Sequence, residues 1–449
     1  MVGKKFIYKN IRVDNARHEI LFDYRLETSD KSYEFTESLI LPIALPDNDT
    51  VNSILRALHI ALGISYYKAT LPPLIDHGYD MDESEAEFWN LVFTNGLGEF
   101  LYKNNLEVDR IAKFSEQSGT IHIGNNNPAS LDDRALLGIG GGKDSIVAGE
   151  LLKDLQIKTT GFVLATGENR GQALSVSETM GVDLLAVERR IDPKLLKLNK
   201  IPGTYNGHVP ISLIFALVGC MLAIANGSKY VIVANEASAS IPDLDYNGMQ
   251  VNHQWSKSIE FEKLFQDYVH VNISKELDYF SIIRQLSSVG VAKIFSKYPK
   301  YFEVFTSDNS LFKINQAERE HPRWSKTSSK SLSSYILMAP WLTDEELDLI
   351  FGHQYLDDET LSGLFYDLLG AGEPVLDCVG TPEELRICVS LLAYQGRLKK
   401  LVIEATDKNL LVDDVGSAID VALKLNSQHE VPENISNKLQ SILEEKLKS

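Results

Sequence analysis

Leu136-Leu137-Gly138-Ile139-Gly140-Gly141-Gly142-Lys143-Asp144-Ser145, followed at once by Ile146-Val147-Ala148-Gly149-Glu150-Leu151-Leu152, decides how this chain folds. An apolar strand runs into a glycine-rich turn, and the turn opens a helix. Three consecutive glycines let the backbone approach a ligand and take positive φ without penalty. The amides of such a turn, added to a helix N-terminus, make a nest for a phosphate. Lys143 adds a mobile positive charge and Ser145 a hydroxyl. A carboxylate beside phosphate oxygens makes sense chiefly with Mg²⁺ between them, so Asp144 is the candidate metal ligand.

Two commoner glycine motifs are excluded by position. A Walker A loop needs Ser or Thr after its lysine and an earlier glycine, where this chain has Asp144 and Leu137. The dinucleotide fingerprint fails because Lys143 stands where its third glycine belongs. The stretch instead resembles the PP-loop of ATP pyrophosphatases, Ser-Gly-Gly-x-Asp-Ser, with Gly140 in place of the first serine. The resemblance implies ATP held by Gly140, Gly141, Gly142, Lys143, Asp144 and Ser145, with Thr166 after the next strand joining the set. It also implies Mg²⁺ and cleavage of ATP to AMP and pyrophosphate.

Composition agrees with a cytoplasmic enzyme. The 449 residues suffice for two or three cores. A net charge of −18 argues against nonspecific nucleic-acid binding, which needs a basic surface, but allows an anionic small substrate in a locally basic cleft. Cys220, Cys378 and Cys388 have neither disulfide-framework nor metal spacing, which suits a reducing compartment. The first residues lack the apolar run of a signal peptide. Val209–Ala225 carries no charge over seventeen residues, the short limit for a membrane span. It reads as a buried helix, because a span would interrupt the α/β alternation around it. Pro210 suits its first position and Asn226-Gly227 its end.

Three regions follow from the pattern. Residues 1–130 read as a separate α+β module, with strands at Phe6–Val13, Glu19–Leu26 and Tyr33–Leu41 and helices near Val51–Tyr67 and Glu83–Asn104. Asn125-Asn126-Asn127-Pro128 punctuates the boundary. Residues 131–300 alternate strand and helix. Strands fall at Leu136–Gly138, Gly161–Ala165, Asp183–Glu188 and Tyr230–Ala234, and helices near 146–155, 171–180 and 210–225. That alternation means an α/β fold with a parallel sheet and right-handed crossovers. Residues 301–449 read as mainly helical, with capping boxes at Thr343–Glu346 and Thr381–Glu384.

Polar clusters recur at the carboxyl ends of these strands, where ligands of such sheets bind. They are Thr166-Gly167-Glu168-Asn169-Arg170, Asn206-Gly207-His208, Asn235-Glu236-Ala237-Ser238 and Asn252-His253-Gln254-Trp255-Ser256-Lys257. His208 and His253 are candidate proton-transfer groups, with Glu236 and Lys257 behind them. Arg170 and Arg284 offer bidentate forks for substrate carboxylates, and Asn206, Asn235 and Asn252 further polar contacts.

The blocks GGGKDS (140–145), NGHVP (206–210), ANEASAS (234–240), VNHQWSKSIEFE (251–262), YFSIIRQL (279–286) and VFTS (304–307) resemble the MurL family of PP-loop proteins, the UDP-N-acetylmuramoyl-L-alanyl-L-glutamate epimerases. The resemblance implies a PP-loop (HUP-like) domain. It also implies an ATP- and Mg²⁺-dependent inversion of the terminal glutamate of a peptidoglycan precursor, acting on an anionic UDP-muramoyl-peptide without nucleic acid or membrane. One departure stands out. Relatives carry a cysteine after Phe-Thr-Ser and a Cys-x-x-Cys-x-x-Cys cluster after a tryptophan. This chain has Asp308 and, after Trp324, Ser325, Ser328 and Ser331. Neutral hydroxyls do not replace thiolates on zinc, so this region must fold without the metal or the chain has diverged in function. Two alternatives stay open: an adenylating ligase or amidating enzyme related to the deazaguanine nitrile synthases, and a non-catalytic nucleotide-binding partner.

Overall fold

The computed structural model describes residues 1–117, 131–165, 169–308 and 323–448. Its strands are β1 (Gly3–Asp14), β2 (Glu19–Thr28), β3 (Ser32–Ile40), β4 (Leu74–Asp76), β5 (Asp132–Gly138), β6 (Thr159–Ala165), β7 (Leu184–Arg190), β8 (Ser228–Val233), β9 (Leu244–Tyr246), β10 (Met249–Val251) and β11 (Asp278–Ser281). Nine of them form one sheet in the order β11-β8-β5-β6-β7-β3-β2-β1-β4, and β9 and β10 form a separate hairpin. The five strands from β11 to β7 are mutually parallel. Taken alone they run 5-4-1-2-3, the order of a doubly wound α/β domain. Between β5 and β8 the winding reverses, and there a crevice opens beyond the strand ends.

The N-terminal strands join this sheet. β3 pairs antiparallel with β7, aligning Leu39 with Arg189, and β2 and β1 continue outward. The seam is fixed by a buried ion pair, Arg189 Nε to Glu37 Oε1 at 2.6 Å. The alternation read in residues 6–41 is therefore that of an antiparallel extension with one face packed on a core.

Parallel strands covered on both faces should be apolar on both, and β5 is. Leu136 belongs to the core on one face, with the helices Asp49–Tyr67 and Ile211–Asn226. Ala135 and Leu137 belong to the core on the other, with the helices Lys143–Asp154 and Ser288–Phe295 and the C-terminal helices. The uncharged stretch at 209–225 lies in the first core. Its helix begins at Ile211, one residue later than expected, because Pro210 has ψ 70°, outside the helical range. Among the described residues no helix is long and apolar enough to cross a membrane.

The other expected elements form with small shifts of boundary. The helical stretch at 83–104 divides into Glu83–Gly96 and Gly98–Lys103. Both capping boxes are present, at Thr343/Glu346 and Thr381/Glu384. Residues 329–448 contribute helices only. The Asn125–Pro128 boundary and Thr166 lie outside the described residues.

Candidate active site

The glycine loop sits at the end of β5, beside the switch point. Gly141 has φ +93°, which a side chain would strain, and a Cβ on Gly142 would come within 3.0 Å of Ser307 Oγ. Gly142 is the N-cap of the helix Lys143–Asp154 and has no side-chain cap bond. The first-turn amides thus keep their capacity for an anion. The segment Phe305–Asp308 closes against the loop through Thr306 N–H donating to Gly141 O at 3.1 Å.

Around the loop is a cavity of about 360 Å³, lined by Gly140, Lys143, Asp144, Ser145, Asn235, Glu236, Gln254, Lys257, Ser307, Lys330 and Cys378, among others. Lys143 Nζ lies 2.5 Å from Asp144 Oδ1 and 3.7 Å from Glu236 Oε2. Burial works against the Lys143 charge, but Asp144 and Glu236 outweigh it and hold the ammonium above the ordinary lysine range. Burial, reinforced by repulsion from Asp144 and Glu384 and opposed by Lys143, pushes the Glu236 carboxyl up to about 7. Glu236 Oε1 accepts from Ser288 Oγ at 2.5 Å, whereas its Oε2 and the buried Ser307 Oγ have no hydrogen-bond partner among the described residues. Buried polar atoms are rarely left so, and both line the cavity: a polar ligand fits here.

Arg284 does not reach this cavity. It is 1 % exposed and spends its guanidinium on Glu262 Oε2, at 3.0 and 2.6 Å, and on the carbonyls of Glu236 and Lys257, at 2.7 and 2.6 Å. The expectation that it grips substrate is corrected: its donors are consumed in fixing two cavity residues. Arg170 is exposed on the helix Asn169–Met180. Asn235 lines the cavity, and its backbone exchanges bonds with Ser281 Oγ. Asn252 ties a turn, donating to Ala239 O and accepting from Gln254 N–H. Asn206 accepts from Lys68 Nζ at 3.1 Å, away from the loop.

His208 and His253 come together, but on one side. Both Nδ1 atoms face Glu99 Oε2, at 3.2 and 2.5 Å, and the ring centroids are 4.8 Å apart. Neither ring lines the cavity. Neighbours on one carboxylate cannot serve opposite faces of a carbon, so the pair as expected is corrected. Their environments diverge. Burial and the adjacent His253 charge take His208 down to about 4. Burial also opposes the His253 charge, but bonds to Cys378 and Glu99 raise it to about 9. Glu99 is held down to about 2, burial being outweighed by His253 and Lys103.

Sequence reading missed Cys378, which is half-buried in the loop before the second capping box. Lys257 Nζ donates to its sulfur at 3.3 Å. Against the effect of burial, Lys257, Lys330 and His253 bring the thiol down to about 6. No spacing or periodicity marks this residue; only the fold brings it to the cavity. Where the thiols were expected, Asp308 Oδ2 accepts from Ser325 N–H and Ser331 Oγ, each at 2.7 Å, with Asp308 and Ser331 almost fully buried.

Fold and cavity define a doubly wound α/β protein with a glycine-rich loop at its switch point. The particular family follows from sequence comparison. The model of the MurL N-terminal domain matches residues 2–282, and that of the MurL C-terminal domain residues 304–415. The chain belongs to the MurL family. It is 36% identical over 400 residues to a UDP-N-acetyl-alpha-D-muramoyl-L-alanyl-L-glutamate epimerase from Micromonospora, covering 87% of each chain. Proteins of the same name from Salinispora tropica and Xanthomonas oryzae are 34% and 30% identical, over 87% and 90% of this chain and 85% and 90% of their own.

Proposed function

We propose that this protein is an ATP-dependent epimerase. It inverts the terminal L-glutamate of UDP-N-acetylmuramoyl-L-alanyl-L-glutamate, or a related peptide, in peptidoglycan precursor synthesis. The observation that carries this reading is the shared name of three relatives at 30–36% identity over most of the chain. The cavity supports it, with an uncapped helix start, Lys143 and Asp144 beside two buried polar atoms that make no hydrogen bond among the described residues. In this reading the enzyme works in the cytoplasm, where ATP is at hand.

The chemistry explains why ATP is used. The α-proton beside a free carboxylate is hardly acidic, since its removal sets a second negative charge next to the first. Forming an acyl-adenylate cancels the carboxylate charge and lets the α-carbanion delocalise into an enolate. The loop amides, Lys143 and Ser145 hold the phosphates, acting where charge develops on the leaving pyrophosphate. Asp144 would hold Mg²⁺, which neutralises phosphate charge when bound. Groups lining the cavity remove and return the α-proton, and hydrolysis then frees the inverted acid. Arg284 positions two of the lining residues and touches no substrate.

The test is incubation with ATP, Mg²⁺ and the UDP-muramoyl-dipeptide in deuterated water. Stoichiometric pyrophosphate and deuterium at the α-carbon of inverted glutamate are expected. Pyrophosphate without α-deuteration, or with ammonia required, would overturn the reading in favour of ligation.

A further inference from the structure

We propose that Cys378, held between Lys257 and His253 on the wall of the cavity, is one of the two proton-transfer groups of the epimerisation. The inference rests on the function proposed above. The sulfur lines the same cavity as Gly140, Asp144 and Glu236, so a ligand seated on the glycine loop shares its space. Among the described residues its charged neighbours are Lys257, His253, Lys330 and Asp377, the last with a carboxylate oxygen within 4.8 Å of the sulfur. Lys257 reaches it from the turn before the helix Ile259–Asn272, and His253 from the start of that same turn. Lys330 comes from the helix Ser329–Met338, and Asp377, next in the chain, lies 3.7 Å from Lys330 and turns its other carboxylate oxygen to Ser329. Three cations against one neighbouring carboxylate favour the thiolate, and the thiol value of about 6 agrees. Cys220 and Cys388 have no such surroundings; both are fully buried in apolar cores, where burial raises their thiols.

The step balances as a proton transfer. The Cα–H bond of the activated glutamyl group breaks, its proton goes to Sγ as S–H, and its electron pair enters the enolate. A second acid of the cavity, a carboxyl or an ammonium, protonates the opposite face, and the S–H proton leaves to solvent before the next turnover. In the reverse direction the S–H is the donor. Glu99 behind His253 keeps that imidazole charged and fixed, so His253 is a positioning residue here.

The experiment compares the full-length parent with Cys378→Ala and Cys378→Ser, using each diastereomer of the UDP-muramoyl-dipeptide with ATP and Mg²⁺ in deuterated water. Inversion should fall about 10²–10⁴-fold while pyrophosphate release stays within a few-fold. Deuterium should wash in from one diastereomer and not the other, because one face keeps its group. Inversion at the parent rate overturns the proposal, as does equal loss of pyrophosphate release and inversion in both variants. Independently of any variant, iodoacetamide should label Cys378 half-maximally near pH 6, ahead of Cys220 and Cys388, and ATP with substrate should slow it. Labelling of Cys378 only above pH 8 also overturns it. A parent enzyme that never inverts its substrate defeats the function proposed above, whereas a parent that inverts while Cys378→Ala does so equally defeats the cysteine alone.

Discussion

Arg284 and Glu262 form an ion pair in which each side chain is 1 % exposed, with Arg284 Nη2 2.6 Å from Glu262 Oε2. The same guanidinium holds the carbonyls of Glu236 and Lys257, so two cavity residues far apart in sequence hang on one buried fork. Removing one partner of such a pair leaves an uncompensated charge in the core. Arg284→Met should therefore cost about 3–5 kcal/mol in denaturant unfolding. The double variant Arg284→Met/Glu262→Gln should recover part of that loss. A single variant as stable as the parent would show that the fork carries no strain-bearing role.

Asp144→Ala should abolish pyrophosphate release while leaving the circular dichroism spectrum and melting temperature close to the parent's. The side chain is part-exposed and among the described residues pairs only with the neighbouring Lys143, which keeps Glu236 as a second carboxylate partner, so the fold should tolerate its loss. Full turnover in this variant would remove the phosphate-loop reading.

Purified protein should carry no stoichiometric zinc. Asp308 occupies the centre of the region with two hydrogen bonds that a thiolate set would not make. Asp308→Ala leaves the Ser325 amide without its acceptor and takes one partner from the buried Ser331 hydroxyl, at a cost of about 1–3 kcal/mol for the orphaned amide. Metal analysis giving one tightly held zinc per chain would contradict this.

His253 should make the fold sensitive to alkaline pH. Its folded value, about 9, lies above the ordinary histidine value of 6.5, so its contribution is complete below pH 6.5 and fades as pH rises through 9. The difference corresponds to about 2–4 kcal/mol at most. Melting curves of the parent and His253→Gln between pH 6 and 9.5 should converge toward the alkaline end. A gap independent of pH would mean that His253 is neutral in the folded protein.

The strands of the parallel sheet were legible in the sequence wherever they are long and apolar, but their order in the sheet was not. β5, β6 and β8 announce themselves because both faces are buried, and a continuous apolar run results. β11 escaped notice because it has four residues and sits between two helices, too short to show a period. The glycine loop was readable since its chemistry is local, carried by six adjacent residues. The far wall was not. Lys330 and Cys378 come from the helical C-terminal region, and nothing near either residue in the chain indicates what it faces. Arg284 and the two histidines were picked out by residue type, which alone could not tell a fork that grips substrate from one that grips its own backbone.

The pairing of β3 with β7 has a consequence for synthesis of the chain. The N-terminal strands leave the ribosome about 150 residues ahead of the edge they must join, and Glu37 waits 152 positions for Arg189. Until then the nascent hairpins present an unpaired strand edge, a template for pairing with other chains. Fragments ending before residue 190 should therefore be prone to aggregate, and joining the N-terminal strands to β7 is a long-range closure instead of a local one. A protease or chaperone meeting the unfinished polypeptide would find β3, and not the glycine loop, as its first point of attack.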